Sequence, residues 1–230
     1  MMQTSIDKRN LTNTTHHAIT EWWSFWGTWN DWTMDTNLYN ASYIMGFANG
    51  GIGLSILKAS NSIEFAERSI GLAFIRRAYH PETGKRIIFG QPSYHTLKML
   101  SQHRGNRLVT STTTSAKYSW YPKPGLSGIG GFENVPYIET AVTRTDDTLF
   151  IAVINRHERK RAGVEFDINH HFSTGKIYQF AGYENLDVNT AANPDFIEEK
   201  SSLFTMQNYM EFPPKSLTVM ALPFNPSSIQ

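Results

Sequence analysis

The sequence predicts an α/β segment followed by an all-β segment, and three observations carry that reading. Residues 17 to about 104 alternate strand-like and helix-like runs, the pattern of parallel βα units. Residues 106 to 224 hold about eight short β-branched or aromatic runs separated by Gly, Pro, Asn and Asp. The composition, 40% hydrophobic and 13% aromatic over 230 residues, supports a real core in one large domain or two smaller ones. The expected boundary lies between 1–105 and 106–230.

The elements follow in order. "HAITEW" (17–22) reads as a short strand closing on Glu21, and an aromatic loop runs from it to Asp35. "TNLYNASYIMGFANGGIGLSILKAS" (36–60) reads as a helix with Asp35 or Thr36 as N-cap. The pair Gly50-Gly51 weakens its second half. "NSIEFAERS" (61–69) reads as a short helical turn, "IGLAFI" (70–75) as a buried strand, and "PSYHTLKMLSQH" (92–103) as a second helix. The strand runs after residue 106 are "RLVTSTTT", "AKYSWY", "YIETAVTR", "TLFIAVIN", "GVEFDI", "KIYQFAG", "SLFTM" and "SLTVMAL", with "RTDDT" as a hairpin turn. Short strands at this spacing predict a sandwich or jelly roll.

Two parallel strands with their helices do not make a domain, because they leave an unpaired sheet edge. The first segment is therefore expected to belong to a larger α/β unit, or to have other strands on that edge. The exposed edge predicts aggregation or dependence on a missing N-terminal half.

Composition excludes several partners. The formal net charge is +1, without the basic face that a nucleic-acid binder needs. "RHERKR" (156–161) is interrupted by a glutamate and reads as a solvated turn. Mean hydropathy is -0.38, and the longest mostly apolar run, residues 43–57, is shorter than the ~20 residues of a membrane span. The absence of cysteine removes disulfides and thiolate metal sites and leans towards the cytoplasm. No secretory leader is legible at the N-terminus.

The stretch "HHAITEWWSFWGTWNDW" (16–32) holds five of the six tryptophans beside one acid, Glu21. A carboxylate at the C-terminal end of a strand, opening into a long loop, stands where α/β barrels hold their chemistry. Glycoside cleavage needs two carboxylates across the scissile bond, and indole faces suit the apolar C–H face of a sugar. The alternative is that Trp22, Trp23, Trp26, Trp29 and Trp32 are core or interface residues and Glu21 a structural acid. His17 alternates with Ile19 and Glu21 and is a candidate to support the same site. The pairs at 16–17 and 170–171 lack a third ligand at useful spacing, so no metal is expected. "GLSGIGG" (125–131) lacks the Lys-Ser/Thr and helix of a phosphate loop.

"AITEWW" followed by "TNLYNASYIMGF" resembles the C-terminal part of the family 51 α-L-arabinofuranosidases. "PSYHTLKML" is similar to their last helix. "VPYIETAVT…DDTLFIAVINR", "LDVNTAANPDFI" and "FPPKSLTVMAL" are similar to three sandwich motifs in family order. The resemblance covers residues 17 to 224. It implies the last βα units of an incomplete (β/α)₈ barrel over 1–105 and a C-terminal β-sandwich over 106–230. It implies retaining release of terminal arabinofuranosyl groups from hemicellulose or pectin fragments, without a cofactor, and a tendency to form homo-oligomers. Glu21 matches the nucleophile, with Trp22, Trp23 and His17 as candidate substrate-binding residues. The family's acid/base glutamate, in an Asn-Glu pair on an earlier strand, has no counterpart upstream of Glu21. Its sugar-contacting glutamine has none in "FAERSIGLAF". The isolated chain is accordingly expected to be inactive or weakly active. Two other readings stay open: a non-catalytic carbohydrate-binding or assembly module, and a barrel-plus-sandwich glycosidase for another sugar.

Overall fold

A computed structural model of the chain describes residues 17–22, 39–61, 63–68, 74–121, 131–168, 172 and 174–224. Strand β1 (His17–Trp22) and helix α1 (Tyr43–Lys58) precede strand β2 (Ile63–Arg68). A hairpin of β3 (Ile75–Tyr79) and β4 (Arg86–Gly90) leads into helix α2 (Pro92–Gln102). Ten strands follow. They are β5 (Arg107–Val109), β6 (Lys117–Trp120), β7 (Phe132–Pro136), β8 (Ile138–Arg144) and β9 (Thr148–Asn155). Then come β10 (Ala162–Glu165), β11 (Thr174–Phe180), β12 (Lys200–Thr205), β13 (Tyr209–Phe212) and β14 (Ser216–Pro223). Among the described residues no helix is long and apolar enough to cross a membrane.

Several local expectations change. Residues 63–68 form a strand rather than a helical turn. Ile63 and Phe65 alternate with Glu64, and pairing with β1 outweighs the helix propensity of Glu, Ala and Arg. Of the strand expected at 70–75, residues 70–73 lie outside the described residues, and Ile75 instead opens an antiparallel hairpin absent from the sequence reading. The strand in "RLVTSTTT" ends at Val109. Beyond it the hydroxyls serve the neighbouring strand: Thr113 Oγ1 meets Thr140 Oγ1 at 2.6 Å, and Ser115 Oγ accepts from the Ile138 amide at 3.0 Å.

A six-stranded antiparallel sheet, in the order β12-β11-β14-β9-β8-β5, organises the molecule. Both of its faces are covered. On one face Ile138, Val142, Ile151, Val153, Met220 and Leu222 pack against Ala162 of β10 and Phe212 of β13, which form the opposing pair of the sandwich. On the other face Ala141, Ala152, Ile154, Phe180, Leu217 and Val219 pack against Tyr43, Phe47 and Leu54 of α1 and Met99 and Leu100 of α2. A strand buried on both faces reads as an unbroken apolar run, which explains "TLFIAVIN" and "SLTVMAL". Polar residues within those runs are paired. Asn155, at the end of β9, donates to the carbonyls of Phe212 at 3.0 Å and Pro213 at 2.8 Å.

The glycines that weaken α1 as an isolated helix allow it to lie flat. A Cβ at Gly46 would stand 2.5 Å from Pro92 Cβ, so α1 and α2 touch there only through glycine. Asn49 Nδ2 then reaches Ser93 Oγ at 2.9 Å, and Thr96 Oγ1 donates to the Gly46 carbonyl at 3.0 Å.

Three polar latches bind the helical layer to the sandwich. The N-terminal amides of α1 have no side-chain cap. The Tyr43 amide donates instead to the Asp187 carbonyl at 2.8 Å, and the Ile44 amide to the Asn185 carbonyl at 3.1 Å. The Tyr43 hydroxyl donates to the Lys215 carbonyl, and burial pushes that phenol well above its ordinary range. Asn189, fully buried, forms the second latch. Its Nδ2 donates to the carbonyls of Gly90 at 2.9 Å and Ile197 at 3.0 Å, and its Oδ1 accepts from the Ile197 amide at 2.7 Å. Gln91 Nε2 returns a bond to the Asn189 carbonyl at 3.1 Å. The third latch is ionic: Glu139 bridges Lys58 of α1 at 2.8 Å and Arg156 at 2.7 Å.

Two predictions follow from this layer. Asn189→Ala removes three buried bonds worth about 1 kcal/mol each, so the unfolding free energy in urea should fall by about 3 kcal/mol with no change in slope. His95 is 7% exposed, and its Nε2 has no hydrogen-bond partner among the described residues. Burial lowers its pKa below the ordinary 6.5 more than the bond to Gly90 raises it. The unfolded chain therefore takes up the proton first. The stability tied to His95 is full above pH 6.5 and is lost as pH falls below it. Melting temperature should drop between pH 7.5 and 5, and His95→Phe should flatten that part of the profile.

Candidate functional site

The chain runs parallel through β1 and β2, with Ala18 opposite Phe65, Ile19 opposite Ala66 and Trp22 opposite Arg68. Between Ile19 and Trp22, β1 carries one more residue than its partner, and Glu21 falls in that irregular interval. Such bulges are over-represented beside active sites, because they re-aim a side chain without ending the strand. A second irregularity lies between His17 and Ala18. The period-two spacing of His17, Ile19 and Glu21 therefore does not by itself set a common face. The structure places the backbones of His17, Glu21 and Trp22 on this strand, while their side chains lie outside its description. Trp23, Trp26, Trp29 and Trp32 lie outside the described residues.

Helix α1 joins β2 tightly, with the Ile63 amide bonded to the Ala59 carbonyl at 3.1 Å. In a βαβ unit the helix runs back against its strands, so its N-terminus and the strand C-termini share one side of the sheet. That is the side on which Glu21 ends β1. It is also the end of α1 that the Asn185 and Asp187 carbonyls hold. After β2 the next described element is the β3–β4 hairpin, whose root Asn189 grips at Gly90. The sandwich loop 183–198 thus holds both the N-terminus of α1, which follows β1, and the root of the hairpin, which follows β2. Their positions rest on the backbone bonds from Tyr43 and Ile44 and on the side-chain bond from Asn189, all made with this loop.

The described carboxylates are engaged elsewhere to different degrees. Glu139 is the most heavily engaged of them. Burial raises its pKa, but the bonds from Lys58 and Arg156 outweigh burial and hold the carboxyl below its ordinary 4.5. A carboxylate locked in its ionised form cannot deliver a proton near neutral pH. Among the described residues no group of three or more His, Cys, Asp and Glu is arranged to hold a metal ion.

The residues that the sequence reading missed are the clamps. Asn155, Arg156, Asn189, Lys215 and Ser216 all lie inside the sandwich motifs quoted above, but a motif shows no partner. Their targets, Glu139, Gly90 and Tyr43, lie 17, 99 and 172 residues away along the chain. Lys215 carried one local signal, a Pro-Pro before it and a strand after it. It adopts a left-handed φ of 46°, which a lysine rarely takes, and its carbonyl meets Tyr43.

Comparison with known proteins places this arrangement. The chain is similar in fold to the α-L-arabinofuranosidase of Thermotoga maritima in its arabinose complex, with a TM-score of 0.76 and 21% identity over 95% of this chain and 44% of that one. It is similar to the family 51 enzyme of Thermotoga petrophila, at 0.73 and 21% over 94% and 44%. It is also similar to the family 51 enzyme of Bifidobacterium longum, at 0.72 and 15% over 95% and 45%. The chain spans less than half the length of these solved structures. No curated protein sequence matches it. The family model for the α-L-arabinofuranosidase C-terminal domain matches residues 26–216, which takes in α1, the hairpin, α2 and every strand of the sheet except β14, and begins after Glu21. With most of its length covered by that model, the chain belongs to the α-L-arabinofuranosidase C-terminal domain family.

Proposed function

We propose that this chain carries the nucleophile-bearing end of a retaining α-L-arabinofuranosidase together with its sandwich. Residues 1–105 are then the C-terminal part of the (β/α)₈ barrel and 106–230 the sandwich domain. The observation that supports this best is Glu21 in the irregular, C-terminal interval of a parallel strand, beside a family-matched helix latched to the sheet. In this reading Glu21 attacks the anomeric carbon, the glycosidic oxygen leaves with a proton, and a covalent glycosyl-enzyme forms. Water then releases arabinose with retained configuration. Trp22, Trp23 and His17 are the candidate groups against the sugar. The arabinose bound by the Thermotoga maritima relative supports the choice of sugar.

The proton must come from a second carboxyl about 5–5.5 Å from the first. This chain has no Asn-Glu pair ahead of Glu21 to supply it. A partner polypeptide or preceding segment that completes the barrel would bring it. General acid/base help is typically worth ~10²–10⁴-fold, so the 230-residue chain alone should turn over an arabinofuranoside at or near background. Robust turnover by the isolated chain, abolished by Glu21→Gln, would overturn the need for a second chain segment.

One observation favours a non-catalytic sugar-binding module as a second reading. Trp120, Tyr121 and Phe132 stand exposed on the β6–β7 ribbon, with the Trp120 and Phe132 rings 6.0 Å apart. The two readings separate in binding experiments with neutral arabinan. Glu21→Gln leaves binding intact in both, whereas Trp120→Ala removes it only if the ribbon is the binding site.

A further inference from the structure

The β3–β4 hairpin presents a face that the functional reading does not use. Its register sets Ile75 opposite Gly90, Arg77 opposite Ile88 and Tyr79 opposite Arg86. Residues directly opposite in an antiparallel pair share a face. Ile75, Arg77, Tyr79, Arg86 and Ile88 therefore stand together on one side, and all of them are exposed. Tyr79 is 70% exposed and Ile88 65%. The opposite side faces inward, where Phe89 is 7% exposed.

This face is cationic as well as aromatic. Arg77 and Arg86 stand on it, and the hairpin as a whole carries Arg76, Arg77, Lys85 and Arg86 against one acid, Glu82, with Arg76 opposite Phe89 on the inward side. None of the four makes an ion pair among the described residues. Arg77 and Arg86 occupy diagonal positions, which sets their roots about 7–8 Å apart. The platform is held at both ends. At the tip the His80 amide donates to the Lys85 carbonyl at 2.8 Å, and His80 Nδ1 accepts from the amides of Glu82 and Thr83. At the root the Gln91 amide donates to the Phe74 carbonyl at 2.8 Å, and Asn189 holds Gly90.

We propose that this hairpin is a binding site for the uronate-bearing backbone of an acidic polysaccharide, with Arg77 and Arg86 on sugar carboxylates and Tyr79 against a sugar ring. Guanidinium groups pair carboxylates in a planar, two-bond geometry that an exposed lysine does not match. The Tyr79 ring, directly opposite Arg86 and two residues along the strand from Arg77, suits a pyranose face. The hairpin follows β2 in the chain and leads into α2. The assignment rests on the arabinofuranosidase reading and narrows its substrate to branched chains with acidic backbones. Each exposed pair is weak alone, and a polymer that meets several gains through multivalency.

The test is binding of the 230-residue chain to polygalacturonate, to its methyl ester, to neutral arabinan and to duplex DNA, at low and at physiological salt. Polygalacturonate should bind more tightly than its uncharged ester, and the difference should shrink with salt. The double variant Arg77→Gln/Arg86→Gln should lose roughly 3- to 10-fold in affinity for polygalacturonate, the size expected of two exposed ion pairs. Its melting temperature and its binding to neutral arabinan should stay unchanged. Tyr79→Ala should weaken polygalacturonate binding without changing the salt dependence. Equal binding of the methyl ester, equal binding of DNA, or an indifferent double variant would each overturn the proposal. So would a dimer of the wild-type chain that the double variant dissociates, because the hairpin would then be a protein interface. Arabinan binding and Glu21-dependent chemistry use neither arginine, so failure here leaves the arabinofuranosidase reading to its own experiment.

Discussion

The first amides of helix α1 find their acceptors in the sandwich, and much of the molecule depends on that exchange. A buried helix end without partners is costly, since each unpaired amide forfeits its hydrogen bond to water. Here the chain carries a polar Ser42 at the cap position, yet its side chain makes no cap. The carbonyls of Asn185 and Asp187 do that work from a loop more than a hundred residues away. Neither the helix terminus nor the loop is complete alone. The two layers therefore form as one unit, with the apolar side of the six-stranded sheet closed over by α1 and α2.

This arrangement links packing to function. Glycosidic chemistry tolerates little error in the separation of its two carboxyls, because nucleophile and acid must meet the same bond from opposite sides. A strand in a two-stranded parallel pair would be a poor support for one of them. The latches supply the missing rigidity indirectly. They hold the helix that follows β1 and the hairpin root that follows β2 to a sheet buried on both faces. The polar residues at the latches are paired almost completely. The exceptions, Gln91 Oε1 and His95 Nε2, lie at the start of α2, beside the Asn189 latch.

The glycines of α1 illustrate how local and tertiary preferences part company. Gly50 and Gly51 argue against a helix when only propensity is considered, by about 1 kcal/mol each. In the structure a Cβ at Gly50 would crowd Leu217 at 3.0 Å and Thr96 at 3.3 Å. The same residues that cost helix propensity allow the close approach from which the helix gains its burial. Residues 63–68 show the reverse. Their composition suits a helix, and a parallel partner makes them a strand.

What the sequence by itself determined is the order and type of the strongly patterned elements. "HAITEW" is a strand, both stretches read as helices contain helices, and the β-branched runs after residue 106 build antiparallel sheets. Those patterns come from period and turn chemistry, which are local and survive without a partner. The motifs also disclosed the family, because they preserve side chains whose jobs are fixed. Tertiary structure alone decided what those jobs are. That Asn189 holds Gly90, that Lys215 receives Tyr43, and that Glu139 joins Lys58 to Arg156 are facts about residues distant in the chain. Only the fold, by closing the loops between them, makes such residues neighbours. The β3–β4 hairpin was hidden for a related reason. Its strands are short and charged, and the alternation that defines them appears only when the two are set in register.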